Sequence, residues 1–275
     1  MRRSLLNSAF ILSGGGAKGA YQVGVCRKLI EGGVIPSFIT GVSTGALTGA
    51  MLCQYGAEVG IQRLWDLYEG IESYKDIYSK PKWWKVIFGQ GLYSNKPLEK
   101  LLDKHLSNRG LYDSDIVTRF GVVNMQTGEY EGIVNKDMRQ LDNLKKFILA
   151  STSYSPAFAP VTIGNAQYTD GGTRNVVPPG QSLGSFDKIY VVLCSPLVNK
   201  VVNRPFVHMI DIGLRNISIM INEIYKNDIY YLKEEYGDKV VVIEPKEEYM
   251  GSLDFDHDKI MNAMNRGYED GESAL

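Results

Sequence analysis

The stretch Gly41-Val42-Ser43-Thr44-Gly45 ends an apolar, β-branched run (Phe38-Ile39-Thr40) and opens a run of small residues suited to a helix. A serine flanked in this way fits a sharp strand-to-helix turn, the G-x-S-x-G nucleophile elbow, which lifts its hydroxyl above the sheet edge. A Cβ at position 41 or 45 would crowd such a turn. Ser43 is therefore a candidate nucleophile for acyl transfer. The same residues also describe a plain glycine-flanked serine in a tight turn. The chemistry depends on two partners elsewhere. One is a base, because a serine hydroxyl is a weak nucleophile without one. The other is a set of donors for the oxyanion of a tetrahedral intermediate.

The stretch Gly14-Gly15-Gly16-Ala17-Lys18-Gly19 offers such donors. Glycines let backbone N–H groups point outward at a helix N-terminus, a setting that binds negative charge. Gly14, Gly16 and Gly19 also satisfy G-x-G-x-x-G, the dinucleotide fingerprint. That fingerprint expects an acidic residue at the end of the second strand, about 20 residues on. The second strand here ends in Ile39-Thr40-Gly41, without an acid, and the loop lacks the Gly-Lys-Ser/Thr ending of a phosphate-binding loop. The oxyanion reading is preferred to the nucleotide reading. Lys18 either supports the loop or attracts an anionic substrate.

Asp170-Gly171-Gly172 offers the base. A carboxylate followed by two glycines at a strand end can sit in an accessible turn, although Asp-Gly is also a common turn dipeptide. The chain has 3 histidines. A triad in the order Ser, Asp, His would combine Ser43 and Asp170 with His208 or His257. His105 lies late in an expected amphipathic helix that ends at Asn108-Arg109-Gly110, and His257 lies in the acidic run Asp254-Phe255-Asp256-His257-Asp258. None of the three lies in a glycine-rich loop built for a site, and each reads more readily as a surface or capping residue.

The elements that must position these groups follow from hydropathy. Residues 8–13 form a short buried strand, residues 20–30 have helical apolar spacing, and Gly32-Gly33 stops that helix. Strand, glycine loop, helix and the strand at Phe38 make a βαβ unit, which implies a parallel sheet. Helices are expected over 46–55, 60–69, 97–106, 141–151 and 258–268, with one or two more over 207–236. Hairpins are expected over 120–134 and 161–169, the second delivering Asp170 at its end. Residues 187–194 and 239–244 read as further strands.

The chain of 275 residues carries a net charge of -1, with 44% apolar and 22% charged residues. These are globular values. The balanced charge gives no electrostatic reason to expect nucleic acid. Cys26, Cys53 and Cys194 are scattered in apolar settings, with no Cys/His cluster for zinc. They read as core thiols in a reducing, cytoplasmic setting. No stretch of about 20 apolar residues suggests a membrane-spanning helix. One domain is expected over residues 1–275, with a cap segment around 75–95. Within it, Trp83 and Trp84 stand among lysines, a composition that suits peripheral contact with a lipid–water interface or packing of a cap over the core.

Taken together, four motifs in order resemble the patatin-like phospholipase family. Gly14-Gly15-Gly16-Ala17-Lys18-Gly19 is similar to its glycine-rich loop, and Gly41-Val42-Ser43-Thr44-Gly45 to its nucleophile elbow. Residues 150–160, with Ser151, Ser153, Pro156 and Pro160, resemble its serine- and proline-containing loop. Asp170-Gly171-Gly172, followed by Asn175 and Pro178, resembles its aspartate motif. Residues 253–267 are also similar to its closing segment. The resemblance implies a three-layer α/β/α sandwich with a mostly parallel central sheet. It also implies a Ser43–Asp170 dyad without histidine, and an oxyanion hole of N–H groups at Gly14, Gly15 and Gly16. The implied substrate is a phospholipid or lysophospholipid acyl ester, with no cofactor or metal. The alternatives kept open are a carboxylesterase with a Ser-His-Asp triad and a lipase that is latent until a partner or small molecule activates it.

Overall fold

The computed structural model describes residues 7–80, 90–178, 183–198, 201–203, 205–207 and 209–275. Trp83, Trp84 and His208 lie outside the described residues, as does the middle of the expected cap segment.

Strand β1 (Ser8–Leu12) is buried along its whole length and leads through the glycine loop into helix α1 (Gly19–Glu31). Strand β2 (Pro36–Gly41) follows, then helices α2 (Thr44–Tyr55) and α3 (Ala57–Glu69). Helix α4 (Lys96–His105) and the short α5 (Asn108–Asp113) precede a hairpin of β3 (Val117–Asn124) and β4 (Tyr130–Val134). Next come α6 (Leu144–Ser151), the hairpin β5 (Val161–Ile163) and β6 (Ala166–Asp170), and β7 (Lys188–Val192). The chain closes with α7 (Met209–Tyr236), β8 (Val240–Ile243) and α8 (His257–Gly271).

The strands form one sheet in the order β5-β6-β3-β2-β1-β7-β8, with β4 also paired to β3. The pairs among β3, β2, β1, β7 and β8 are parallel, and the two hairpins are antiparallel. Parallel strands need helices on both faces, and the side chains of β1 show both being used. Phe10 and Leu12 pack with α1, α2 and α8, whereas Ala9 and Ile11 pack with Val176, Val177 and the α7 residues Tyr225, Ile229 and Leu232. The result is the expected three-layer α/β/α arrangement around a mostly parallel sheet.

Two local expectations change. Asn108-Arg109-Gly110 begins α5 rather than ending α4, because the Ser107 hydroxyl caps the new helix by accepting the Gly110 N–H at 3.0 Å. The helix expected over 141–151 starts with a 3-10 stretch, Met138–Asn143, before α6. In the 207–236 region, rich in isoleucine and tyrosine, the structure has one 28-residue helix, α7. All three cysteines are buried and unpaired, as expected of core thiols. No helix among the described residues is long and apolar enough to cross a membrane.

Candidate active site

Ser43 stands between β2 and α2 at φ 54, ψ -125, the one non-glycine among the described residues with positive φ. Such a conformation costs on the order of 1–3 kcal/mol and persists only where the surroundings enforce it. Here glycines permit the turn. A Cβ added at Gly41 would stand 2.3 Å from the Gly45 carbonyl oxygen, and one at Gly45 would stand 2.2 Å from that of Leu12. The elbow is held from below as well. The Ser43 N–H donates to Ser151 Oγ at 3.0 Å, and the Ser151 hydroxyl donates to the Gly121 carbonyl at 2.7 Å. Ser151 thus ties the turn to β3. The sequence placed Ser151 in a motif, but only the fold gives it this task.

Asp170 ends β6 and is 2% exposed. The register explains its position: Gly41 of β2 pairs with Phe120 of β3, and Val122 of β3 pairs with Asp170, so elbow and carboxylate lie at one level of the sheet. The Ser43 side chain lies near enough to the Asp170 carboxylate to lower its pKa, and the Gly172 N–H donates to Asp170 Oδ1 at 2.7 Å. Burial pushes the Asp170 carboxyl up to about 7, and the neighbouring Ser43 and the Gly172 N–H only partly offset this. The group is therefore far more basic than an ordinary carboxylate.

The glycine loop lies directly against Ser43, since a Cβ added to Gly14 would meet the Ser43 Cβ at 3.2 Å. The expectation for Gly14 is corrected: its N–H donates to the Val176 carbonyl at 3.1 Å and is not free for an oxyanion. The Ala17 N–H is likewise held, by the Ser252 carbonyl at 2.8 Å. Among the described residues, no acceptor is seen for the N–H of Gly15 or Gly16. Gly16 has φ +61, and a Cβ there would collide with the Ser252 carbonyl at 2.2 Å. The Lys18 Nζ donates to Glu248 Oε1 at 2.6 Å and Ser195 Oγ at 2.9 Å.

Ser43 also lines a pocket of about 100 Å³ whose walls are mostly aliphatic. Helix α2 contributes Leu47 and Met51, α3 contributes Leu64 and Leu67, and α4 contributes Leu98 and Leu102. Polar groups gather around the serine: Thr44, Thr152 and Ser252. Asp170 is not among the residues that line this pocket. His105 does line it, half-buried, and desolvation lowers its pKa, reinforced by Lys104 and Arg63. The Nδ1 of His257 is 3.1 Å from the Ile71 carbonyl. Neither histidine is among the groups that interact with Asp170.

A sequence model described as patatin-like phospholipase matches residues 10–181. A patatin-like phospholipase domain-containing protein of Phaeosphaeria nodorum is 48% identical over 46 residues, 17% of this chain and 6% of that protein. Among solved structures, VipD from Legionella pneumophila is similar with a TM-score of 0.48 and 15% identity, over 98% of this chain and 66% of that one. The type III effector protein ExoU is similar with a TM-score of 0.44 and 13% identity, over 97% of this chain and 52% of that one. The chain thus spans a small part of the curated relative and between half and two thirds of these structures. The family match runs through well over half of the sequence and takes in the glycine loop, the serine elbow and the aspartate turn, so the chain belongs to the patatin-like phospholipase family.

Proposed function

We propose that the protein is a serine acyl hydrolase that cleaves acyl esters of phospholipids or lysophospholipids, with Ser43 as nucleophile and Asp170 as base. The observation that carries this reading is the closeness of the strained Ser43 to a buried, raised-pKa Asp170, beside a pocket with mostly aliphatic walls. In its carboxylate form Asp170 takes the Ser43 proton as Oγ attacks the ester carbonyl. Neutralising the buried carboxylate relieves its desolvation, which favours this transfer. The Gly15 and Gly16 N–H groups take the oxyanion. Collapse expels the headgroup-bearing alcohol, which leaves with the proton from Asp170. Water then attacks the acyl-enzyme, with Asp170 as base again, and frees the fatty acid and Ser43.

The position of His257 on the Ile71 carbonyl favours the dyad over a Ser-His-Asp triad. The test is lipid mass spectrometry of products from mixed phospholipids. Wild type and a variant lacking all three histidines should release fatty acid, whereas Ser43→Ala and Asp170→Asn should release none. Loss of turnover from replacing His208 or His257 alone, with the fold intact, would overturn the dyad.

A further inference from the structure

Gly14 is held on both sides of its backbone. Its N–H is bonded to the Val176 carbonyl. Its carbonyl accepts the hydroxyl of Tyr225 at 2.7 Å and that of Ser13 at 3.2 Å. Tyr225 comes from the middle of α7 and is 4% exposed. The Gly14 carbonyl and the Gly15 N–H belong to one planar, trans peptide unit, so they point in opposite directions. A donor fixed on the carbonyl side therefore fixes where the Gly15 N–H points. It also polarises the peptide, which makes that N–H a stronger donor.

One helical turn further along the same face of α7, Asp228 grips the other side of the clamp. Its carboxylate accepts the Val177 N–H at 3.0 Å and Asn175 Nδ2 at 3.1 Å. That segment follows the Asp170 turn, and it carries the Val176 carbonyl that holds Gly14. A single turn of α7 thus fastens the glycine loop directly and, through residues 175–177, a second time.

We propose that Tyr225 and Asp228 are positioning residues for the oxyanion hole, which keep the Gly15 and Gly16 N–H groups aimed at the developing oxyanion. This rests on the acyl-hydrolase reading above. Neither residue touches substrate. Their effect should therefore fall on the tetrahedral state and not on binding of the planar ester.

The test is steady-state hydrolysis of an activated fatty-acyl ester by Tyr225→Phe and Asp228→Ala. Rates are normalised to active sites counted by exhaustive fluorophosphonate labelling, and melting temperatures are measured in parallel. We expect kcat per active site to fall about tenfold in Tyr225→Phe, with KM changed less than about twofold, a fraction of the loss seen when an oxyanion donor itself is removed. Affinity for a trifluoromethyl ketone, which becomes tetrahedral on binding, should fall by the same factor. If Tyr225→Phe does not fold, Asp228→Ala carries the same comparison. A lowered melting temperature with wild-type kcat per active site in the folded variant would overturn the proposal and leave both residues as structural pegs. A wild type with no Ser43-dependent turnover would instead overturn the acyl-hydrolase reading, and this proposal with it.

Discussion

The Ser43 side chain lies beside an Asp170 carboxylate that is 2% exposed and has no cation among the groups acting on it. Two consequences follow from that pairing, one for rate and one for stability.

The base role proposed for Asp170 requires it to be ionised, and burial raises its pKa to about 7. The kcat/KM of the wild type should therefore climb about tenfold per pH unit from pH 5 and level off above about pH 7. Measured on an ester whose own hydrolysis is slow over this range, the limb should persist in the variant without histidines. A limb that vanishes with the histidines would assign it to one of them instead.

The same shift has a cost for the folded state. A carboxyl whose folded pKa lies above its unfolded value of 3.8 leaves the folded state holding more protons between those two values. Stability therefore falls as pH rises from about 4 to about 7. Asp170→Asn keeps an acceptor for the Gly172 N–H but carries no charge to desolvate. It should melt several degrees above wild type near pH 8, with the gap closing toward about pH 4, while hydrolysis is lost. Equal melting temperatures at both pH values would mean that the carboxylate is not desolvated as the fold implies.

The aliphatic walls of the pocket should select for acyl length. Leu98 of α4 lines the pocket and is half-buried, so a larger side chain there fits without opening the deep core. Leu98→Trp should reduce kcat/KM for palmitoyl esters at least about tenfold and leave butyryl esters near wild type, since each lost methylene contact is worth about 0.8 kcal/mol. Equal losses on both chains would place the acyl group elsewhere.

Lys18 and Glu248 form an ion pair of which the lysine end is 15% exposed. If the pair only braces the glycine loop, Lys18→Met and Glu248→Gln should each lower kcat severalfold, equally for anionic and zwitterionic phospholipids. Breaking a partly buried pair should also cost on the order of 1–3 kcal/mol of stability by chemical denaturation. A loss confined to anionic substrates in Lys18→Met would favour the reading of Lys18 as a substrate-binding cation.

Much of the candidate site was legible because its motifs are local. Gly41 and Gly45 announce a turn that admits no Cβ, because an added Cβ would crowd the Gly45 and Leu12 carbonyls. The β5–β6 hairpin is a short-range structure, so its delivery of Asp170 could be read from turn residues and alternation. The order of strand, glycine loop, helix and strand implied the parallel centre of the sheet.

What the sequence alone determined is the inventory: a candidate nucleophile on a sharp turn, a carboxylate at a strand end, and a glycine loop before both. The tertiary structure decided how each is used, because those decisions come from partners far along the chain. The Gly14 N–H is spent on Val176, Lys18 is spent on Glu248, and Ser151 holds the Ser43 N–H. Tyr225 and Asp228 reach the loop only because α7 packs against that face of the sheet. The basicity of Asp170 is set by burial, a sum over every neighbour that excludes water, and no short motif encodes that sum.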